Sequence, residues 1–220
     1  MTWPLDWREV AVFDANAAAL GVEVLELMTA AGEALVEQAV SMAAEGEYLI
    51  LCGPGNNGGD GFAMALALAE YEIEVRLVTS HKEQKGEAAQ SFRVRCEAAG
   101  AGVGGSGGAG MSIEYWAKKS EFGTPSLVID CLLGAGAGGK PRGQVAKILE
   151  WARKGNPSLV LACDIPTGLG SDRILPADAT LTFHAEKAGM KYADVGRLVV
   201  APLPFPEGTM DCGPGDALRY

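Results

Sequence analysis

Three short apolar runs along the chain each end in a cluster of glycine and polar residues. The runs cover residues 48–52, 127–129 and 159–163. They lead into Gly-Pro-Gly-Asn-Asn-Gly-Gly-Asp-Gly at 53–61, into Asp130 with a glycine-rich stretch over 134–140, and into Asp-Ile-Pro-Thr-Gly at 164–168. Unbroken runs of β-forming residues bounded by Gly and Pro are typical of strands buried on both faces of a parallel sheet. Because ligands bind such sheets beyond the carboxyl ends of the strands, we expect the three clusters to form one pocket.

Helical and strand patterns alternate through the rest of the chain. A stripe of small and apolar residues, spaced three and four apart, predicts a helical segment over about 10–43, divided near Gly21; the stripe is Leu25, Met28, Gly32, Leu35 and Ala39. Further helices are predicted over about 60–70, 86–99, 113–119 and a segment from Val145 that is capped by Gly155, and further strands over 75–79, 179–183 and 197–201. The predicted fold is therefore α/β, a Rossmann-like three-layer αβα sandwich with a mostly parallel central sheet.

A length of 220 residues fits a single domain with a sizeable core. We predict one domain over 1–220, with N-terminal helices over about 10–44, a doubly wound core over about 48–203 and an irregular C-terminal tail over about 204–220. Residues 100–110 consist almost wholly of Gly and Ala, and this composition predicts a flexible connection.

The net charge argues against two classes of partner, and the cysteines bear on the redox state of the compartment. The net charge of −10 and the isoelectric point of about 4.7 argue against nucleic acid or an anionic membrane as the main partner. The five cysteines show no metal-binding spacing, which favours buried thiols in a reducing compartment. No apolar stretch is long enough to span a membrane and the N-terminus does not look like a signal peptide, so a cytoplasmic location is expected.

The cluster after the first run contains G-x-G-x-x-G at 53–58, the pattern of dinucleotide-binding dehydrogenases. That fold also needs an acid at the end of its second strand, and here this strand ends in Val-Thr-Ser-His at 78–81. The cluster is also denser than the pattern requires, since Asn56, Asn57 and Asp60 add amide and carboxylate groups. The plainer alternative is a turn in which Asp60 caps the next helix.

The stretch over 134–140 has the G-x-x-x-x-G-K spacing of a phosphate-binding loop. Pro141 stands where such a loop needs Ser or Thr to bind magnesium, so a nucleoside triphosphatase is disfavoured. We expect this loop to offer backbone amides to a phosphate, with help from Lys140. The alternative is a loop that is only flexible.

Two acidic residues, Asp130 and Asp164, stand at the predicted carboxyl ends of central strands. A carboxylate there is costly to bury unless it binds a cation, accepts several hydrogen bonds or acts as an acid or base. Thr167 can either cap a helix or bind a cation through its hydroxyl group. Neither His81 nor His184 has the partner spacing of a metal site or a catalytic triad, so both are expected at the surface or at strand ends.

Taken together, these motifs resemble the YjeF N-terminal family, the NAD(P)H-hydrate epimerases, over nearly the whole chain. The resemblance is carried by segments that occur in the family's order: 14–16, 27–32, 52–61, Asp130 with Leu133-Gly134, 164–168, and Thr182-Phe183 with Lys187. It implies a Rossmann-like fold and an enzyme that interconverts the R and S forms of NADH or NADPH hydrated at ring carbon 6. A separate dehydratase then acts on the S form.

The resemblance also implies roles for individual residues. A monovalent cation, usually potassium, would bind Asn57, Asp130 and Thr167, and Thr167 stands where the family has Ser. Asp164 would face the reacting ring as the catalytic acid/base. The substrate would be held by Asp164 and two glycine-rich segments: Asn56, Asn57, Gly58, Gly59 and Asp60, and Gly134, Ala135, Gly136, Ala137, Gly138, Gly139 and Lys140.

The implied partners are the dinucleotide substrate and a dehydratase on a separate chain, because the fused dehydratase of many microbial relatives is not found in this sequence. The alternative from another class is a non-catalytic nucleotide-binding or protein-interaction module of the same fold. The presence of Asn57, Asp60, Asp130 and Asp164 together favours the enzyme. The sequence leaves open the preference between the two hydrates, the identity of the cation and the oligomeric state, with a homodimer as one alternative.

Overall fold

The central element is a single seven-stranded sheet with the strand order β3-β2-β1-β4-β5-β6-β7. The computed structural model describes residue 4 and residues 7–71, 73–101, 110–137 and 139–205. The strands are β1 (Glu47–Cys52), β2 (Glu74–Thr79), β3 (Met111–Tyr115), β4 (Leu127–Cys131), β5 (Val160–Cys163), β6 (Ala179–Phe183) and β7 (Arg197–Ala201). Every neighbouring pair is parallel, which confirms the predicted α/β fold and shows that the sheet is parallel throughout.

Helices cover both faces of this sheet. They are α1 (Trp7–Ala19), α2 (Val24–Met42), α3 (Asn56–Ala67, followed by a 3-10 turn over Leu68–Glu70), α4 (Glu87–Ala101), α5 (Gly143–Gly155) and α6 (Tyr192–Val195). Because successive strand residues point to opposite faces, Tyr48 and Ile50 pack in the core with α2, α3 and α4, whereas Leu49 and Leu51 pack in a second core with α5. The three layers are therefore held by two separate apolar cores.

Helix α2 packs closely on α3 along the predicted apolar stripe. A Cβ atom on Gly32 would lie 2.7 Å from the backbone carbonyl carbon of Ala63, so only glycine permits this approach. The stripe is displaced at its start, because Leu25 is partly exposed and Leu27 is buried instead. The three-and-four spacing thus identified the helix but placed one residue on the wrong side.

The helix predicted over 113–119 is wrong, because residues 111–115 form the edge strand β3. This strand pairs in parallel with β2, from Met111 opposite Val75 to Tyr115 opposite Thr79. Having one neighbour, β3 is only partly buried, so its mixed apolar and polar residues lack the unbroken pattern of the central strands. Pairing with β2, which is a tertiary contact, decides its conformation.

Two helix boundaries also differ from the predictions. Gly155 is the last residue of α5 rather than its cap, and Asn156 takes the left-handed conformation with φ of 50°. Position 155 requires glycine because a Cβ atom there would lie 2.4 Å from the ring of Phe122. Helix α3 begins at Asn56, four residues before the predicted start near Asp60.

The strand order reverses between β1 and β4, which places a crevice at their carboxyl ends. The loops that follow the two strands touch here: the N–H group of Gly53 donates to the carbonyl oxygen of Cys131 at 3.0 Å. In open α/β sheets ligands bind at this reversal point. The topology therefore brings the residues after β1, β4 and β5 to one place.

The cysteines, the glycine-rich connection and the C-terminal tail were also the subject of predictions. Cys52, Cys96, Cys131 and Cys163 are buried free thiols, as predicted, and burial raises the pKa of each. The connection predicted over 100–110 is wrong at its start, because residues 100 and 101 are the last residues of α4. Cys212, residues 102–109 of that connection and residues 206–220 of the predicted tail lie outside the described residues, so the predictions for them stay predictions. In the described part of the chain, no helix combines the length and apolarity needed to cross a membrane.

Candidate functional site

A cavity of about 400 Å³ opens at the carboxyl ends of the strands, within the usual range for small-molecule sites. The polar side is formed by the loops after β1, β4 and β5, and the other side by α1, α2 and the residues after β6 and β7. The residues that line it include Met28, Asn56, Asn57, Asp60, Lys85, Gly134, Ala135, Asp164 and His184. The three polar clusters of the sequence therefore meet in one cavity, as predicted.

The first polar cluster forms the first turn of α3. Gly55 is the residue before the helix and has extended backbone, while Asn56 and Asn57 are the first two helical residues. N–H groups in a first helical turn lack acceptors within the helix and attract anions. Asp60 is the fifth residue of α3, so the alternative in which it caps this helix is wrong; its Oδ2 lies 3.9 Å from the thiol of Cys163.

Gly58 and Gly59 lie in the same turn but do not line the cavity. A Cβ atom on Gly58 would lie 2.0 Å from the carbonyl oxygen of Gly53, and one on Gly59 would lie 2.6 Å from the sulfur of Met28. Both glycines therefore let α3 pack against its own loop and against α2. Their predicted contact with substrate stays a prediction.

Asp164 directly follows β5 and turns its carboxylate into the cavity. Its backbone is left-handed, with φ of 64°, a conformation that Asp tolerates better than most residues. The Oδ2 atom accepts a hydrogen bond of 2.7 Å from the N–H group of Ala135. A Cβ atom on Gly134 would lie 3.0 Å from this oxygen and 3.1 Å from the amide oxygen of Asn57, so the absent side chain leaves both groups room.

A buried lysine, Lys187, holds the other carboxylate oxygen of Asp164. Its Nζ atom lies 2.9 Å from Asp164 Oδ1 and donates to the hydroxyl of Thr182 and to the carbonyl oxygen of Phe183. Lys187 is only 3% exposed, and a buried charge is tolerated when it is paired in this way. The sequence showed Lys187 as part of the family pattern, but no spacing rule connects it to Asp164.

Asp130 and Thr167, two of the residues predicted to bind a cation, are hydrogen-bonded to each other. Asp130 Oδ1 accepts from the Thr167 hydroxyl at 2.8 Å and from the N–H group of Leu132 at 3.1 Å, and Oδ2 accepts from the Thr167 N–H group at 2.8 Å. Burial raises the pKa of Asp130 to about 6, although these hydrogen bonds act in the opposite direction. An ionised Asp130 would therefore benefit from a nearby positive charge.

The residues predicted to bind a cation suit a hard ion. Asn57 is 8% exposed, and neither polar atom of its side chain has a hydrogen-bond partner within the described residues. An amide oxygen, a carboxylate and a hydroxyl are oxygen donors of the kind that alkali and alkaline-earth cations prefer. The described parts of the chain contain no group of three or more His, Cys, Asp or Glu residues that could hold a metal ion. The donor set thus fits a hard cation, such as an alkali or alkaline-earth ion, better than zinc.

The glycine-rich loop after β4 is divided between the cavity and the surface. Gly134, Ala135, Gly136 and Ala137 line the cavity, whereas Gly139 and Lys140 do not, and Gly138 lies outside the described residues. Lys140 instead forms an exposed ion pair of 2.8 Å with Asp172, which lowers the pKa of that carboxyl. The lysine that does line the cavity is Lys85, before α4, which the sequence reasoning missed.

The residue after β6 contributes an aromatic wall opposite the polar loops. His184 has φ of 66°, like Asp164 one strand away, and its ring stacks on Phe205 with centroids 4.3 Å apart. Val10, Leu27 and Met28 add apolar surface. His184 is thus a strand-end residue, as predicted, but the fold also brings it to the cavity.

The cavity lies at the point where the strand order reverses, and helix-start amides and a buried carboxylate line it. These features define a Rossmann-like domain with a candidate small-molecule site. This chain belongs to the family of YjeF-related protein N-termini, whose model matches residues 24–189.

Two curated relatives and one solved structure extend this assignment. A bifunctional NAD(P)H-hydrate repair enzyme Nnr of Methanothermobacter thermautotrophicus is 35% identical over 96% of this chain and 42% of its own length. An NAD(P)H-hydrate epimerase of Rhodopirellula baltica is 36% identical over 78% of this chain and 70% of its own length. The crystal structure of yeast ynu0 (YNL200c) shares the fold, with a TM-score of 0.76 at 14% identity, over 96% of this chain and 93% of that one. The chain spans less than half the length of the bifunctional relatives.

Proposed function

We propose that this protein is an NAD(P)H-hydrate epimerase, which interconverts the R and S forms of NADH or NADPH hydrated at ring carbon 6. The observation that carries the proposal is the buried Asp164 carboxylate at the base of the cavity, 2.9 Å from the Lys187 ammonium. The names of the two relatives support the same activity. A non-catalytic module of the same fold is not favoured, since binding alone does not need a buried carboxylate in the cavity with a buried ammonium behind it.

Either route for the reaction requires a proton to be moved at the ring hydroxyl or at the ring nitrogen. In a ring-opening route, Asp164 accepts the proton of the carbon 6 hydroxyl, and the bond between carbon 6 and the ring nitrogen breaks with its electron pair on nitrogen. The carboxyl then returns the proton to that nitrogen, which leaves an open aldehyde. Reclosure on the other face of the aldehyde reverses these steps and inverts the configuration. In the alternative route, the hydroxyl leaves carbon 6 as water and water adds back to the opposite face; Asp164 is the candidate acid/base there too.

The remaining residues would bind the dinucleotide. The first turn of α3 and the loop after β4 would offer N–H groups to the diphosphate, as helix starts and glycine-rich loops commonly do. In that loop the candidate donors are Gly134 and Gly136, because the N–H groups of Ala135 and Ala137 already donate to Asp164 and to the carbonyl oxygen of Gly134. A net charge of −10 opposes an anionic substrate at long range, so these local donors must supply the attraction.

The test is an epimerisation assay on the purified protein. The R hydrate is incubated with the protein and the R and S forms are separated by chromatography, with NADH and an alcohol panel as a parallel test of hydride transfer. We expect approach to an R/S mixture and no dehydrogenase activity. A protein that binds the dinucleotide but leaves the R form unchanged would contradict the proposal and favour the binding module.

We further propose that a monovalent cation, expected to be potassium, binds Asn57, Asp130 and Thr167. Thr167→Val removes a hydroxyl that donates to Asp130 and accepts from the N–H group of Leu133. We expect a loss of about 1–3 kcal/mol in the free energy of unfolding, the scale for buried polar groups left unpaired, and loss of any rise in melting temperature with potassium.

Thr180→Val is the matched control for this substitution, because its buried hydroxyl donates to the carbonyl oxygen of Val195, away from the three cation-binding residues. Melting temperatures are compared in potassium and in tetramethylammonium chloride. If the wild-type protein shows no difference between the two salts, or if Thr167→Val keeps the full difference, the cation assignment is wrong.

For the diphosphate we expect Lys85 to matter more than Lys140. Lys85 lines the cavity, whereas Lys140 pairs with Asp172 on the surface. Lys85→Met should weaken binding of the intact dinucleotide by about 10-fold, equivalent to about 1.4 kcal/mol, as measured by calorimetric titration. Lys140→Met removes the same charge outside the cavity and should bind within a few-fold of wild type. The reverse order of effects would instead support the phosphate contact predicted for Lys140.

The proposed activity also implies a partner enzyme. We infer that a dehydratase that consumes the S form works with this protein, in keeping with the bifunctional names of its relatives. A separate dehydratase chain, a homodimer and a cytoplasmic location stay predictions.

A further inference from the structure

Lys187 is a buried, positively charged residue, and it has no part in the binding of the dinucleotide or of the cation as proposed above. It is 3% exposed, and its ammonium is shared between Asp164 Oδ1 at 2.9 Å, the Thr182 hydroxyl at 2.9 Å and the carbonyl oxygen of Phe183. All of these acceptors come from the ends of β5 and β6. The ammonium therefore lies behind the carboxylate, seen from the cavity side where Oδ2 meets Ala135 and Gly134.

We propose that Lys187 is a positioning residue that keeps Asp164 ionised and fixed before the substrate arrives. This inference rests on the proposed epimerase function. The two oxygens of Asp164 have different neighbours: Oδ1 is held by Lys187, with Thr182 at 3.3 Å, whereas Oδ2 accepts one backbone hydrogen bond and borders the cavity. An ionised carboxylate held in this way is set to accept a proton at Oδ2.

The other charged groups near Asp164 cannot replace this ammonium. The titratable groups that border Asp164 or the cavity from the packed elements are Asp60 on α3, Lys85 before α4, Cys131 and Asp130 on β4, Cys163 on β5 and His184 after β6. Among the described residues, the ammonium that pairs with Asp164 is that of Lys187, and Lys85 forms no ion pair with it. The carboxyls and thiols among them can add only negative charge, which would disfavour an ionised Asp164. His184 carries positive charge only when it is protonated. Lys187 is therefore the group positioned to offset the cost of burying this carboxylate.

The ion pair favours the ring-opening route. A carboxylate that is already ionised accepts the hydroxyl proton first and then passes it to the ring nitrogen, so that one proton moves and none is taken from the medium. The water-loss route would need Asp164 to begin as the protonated acid. Removal of the ammonium should allow the carboxyl to take up a proton at a higher pH, which would remove the base.

The experiment compares Lys187→Met with Lys187→Arg and with Lys154→Met, which removes an exposed lysine that pairs with Glu150 on α5, outside the cavity. We expect Lys187→Met to lower turnover of the R hydrate by about 10²-fold, on the scale for loss of acid–base catalysis, and to move the acid side of the pH–rate profile upward. Lys187→Arg retains the charge, so its profile should keep the wild-type position. Calorimetric titration with the intact dinucleotide should show binding within a few-fold in all three variants.

A second readout does not depend on turnover. Carbon-13 NMR of labelled aspartate, with the Asp164 signal assigned by its loss in Asp164→Asn, follows protonation of the substrate-free protein. In Lys187→Met the carboxyl of Asp164 should titrate at higher pH than in wild type. An unchanged titration would overturn the proposal, whether or not turnover falls; a wild-type protein without epimerase activity would overturn the proposed function instead.

If Lys187→Met fails to fold, its folding is compared with that of the double variant Lys187→Met, Asp164→Asn, which lacks both charges. Recovery of folding in the double variant would support the pair, because an unpaired buried carboxylate is then the cause of the failure. A double variant that is as unstable as the single one would show that Lys187 acts only in packing, which would overturn the proposal.

Discussion

Asp164→Asn should lower the rate of epimerisation by about 10²-fold or more, the usual scale for loss of a general acid or base. Asparagine keeps the size of the side chain and its oxygen can still accept hydrogen bonds from Ala135 or Lys187, but it cannot take up and release a proton. Binding of the intact dinucleotide should stay within a few-fold of wild type. The measurement is turnover of the R hydrate by chromatography, with dinucleotide binding followed by calorimetry.

The matched control is Asp178→Asn. Asp178 is also a strand-flanking aspartate whose carboxylate accepts a backbone hydrogen bond, of 2.8 Å from the N–H group of Val160, but it precedes β6 and so lies at the opposite edge of the sheet. It should affect stability and leave turnover near normal. Near-normal turnover of Asp164→Asn, or a joint loss of folding and binding, would mean that Asp164 serves only to hold its own turn.

Gly53→Ala should have the largest effect on stability. A Cβ atom on Gly53 would lie 1.7 Å from the carbonyl oxygen of Leu132, and this neighbour is backbone of the loop after β4 rather than a side chain that could turn away. The two loops would have to separate and the Gly53–Cys131 hydrogen bond would be strained. We expect a loss of about 3 kcal/mol or more in the free energy of unfolding, measured by urea denaturation, at the upper end of overpacking effects.

Gly55→Ala provides the comparison, two residues further along the same loop. A Cβ atom there would meet no atom within 4 Å, and the backbone is extended, with φ of −105°. The expected loss is below about 1 kcal/mol, from a less favourable residue before the helix. Equal losses in the two variants would show that the close approach of the β1 and β4 loops is not what requires Gly53.

The central strands and the location of the site were determined by local sequence. The runs at 48–52, 127–129 and 159–163 are apolar on both faces, and only a strand covered by helices on each side buries such a run. Because parallel strands end at the same edge, the residues after them had to meet. That is why the grouping of Asn57, Asp130, Asp164 and Thr167 near the crevice could be predicted without coordinates.

The features that needed the tertiary structure depend on contacts between distant segments. Residues 111–115 form a strand because β2 pairs with them, and α3 starts at Asn56 although asparagine and glycine are poor helix formers, because its glycines allow close packing against α2 and the β1 loop. The same holds for Lys187: its charge is buried only because β6 lies beside β5 and brings Asp164 within 2.9 Å. Local sequence specifies which residues form a strand or carry a charge, but the partner of a buried charge is decided by which strands become neighbours.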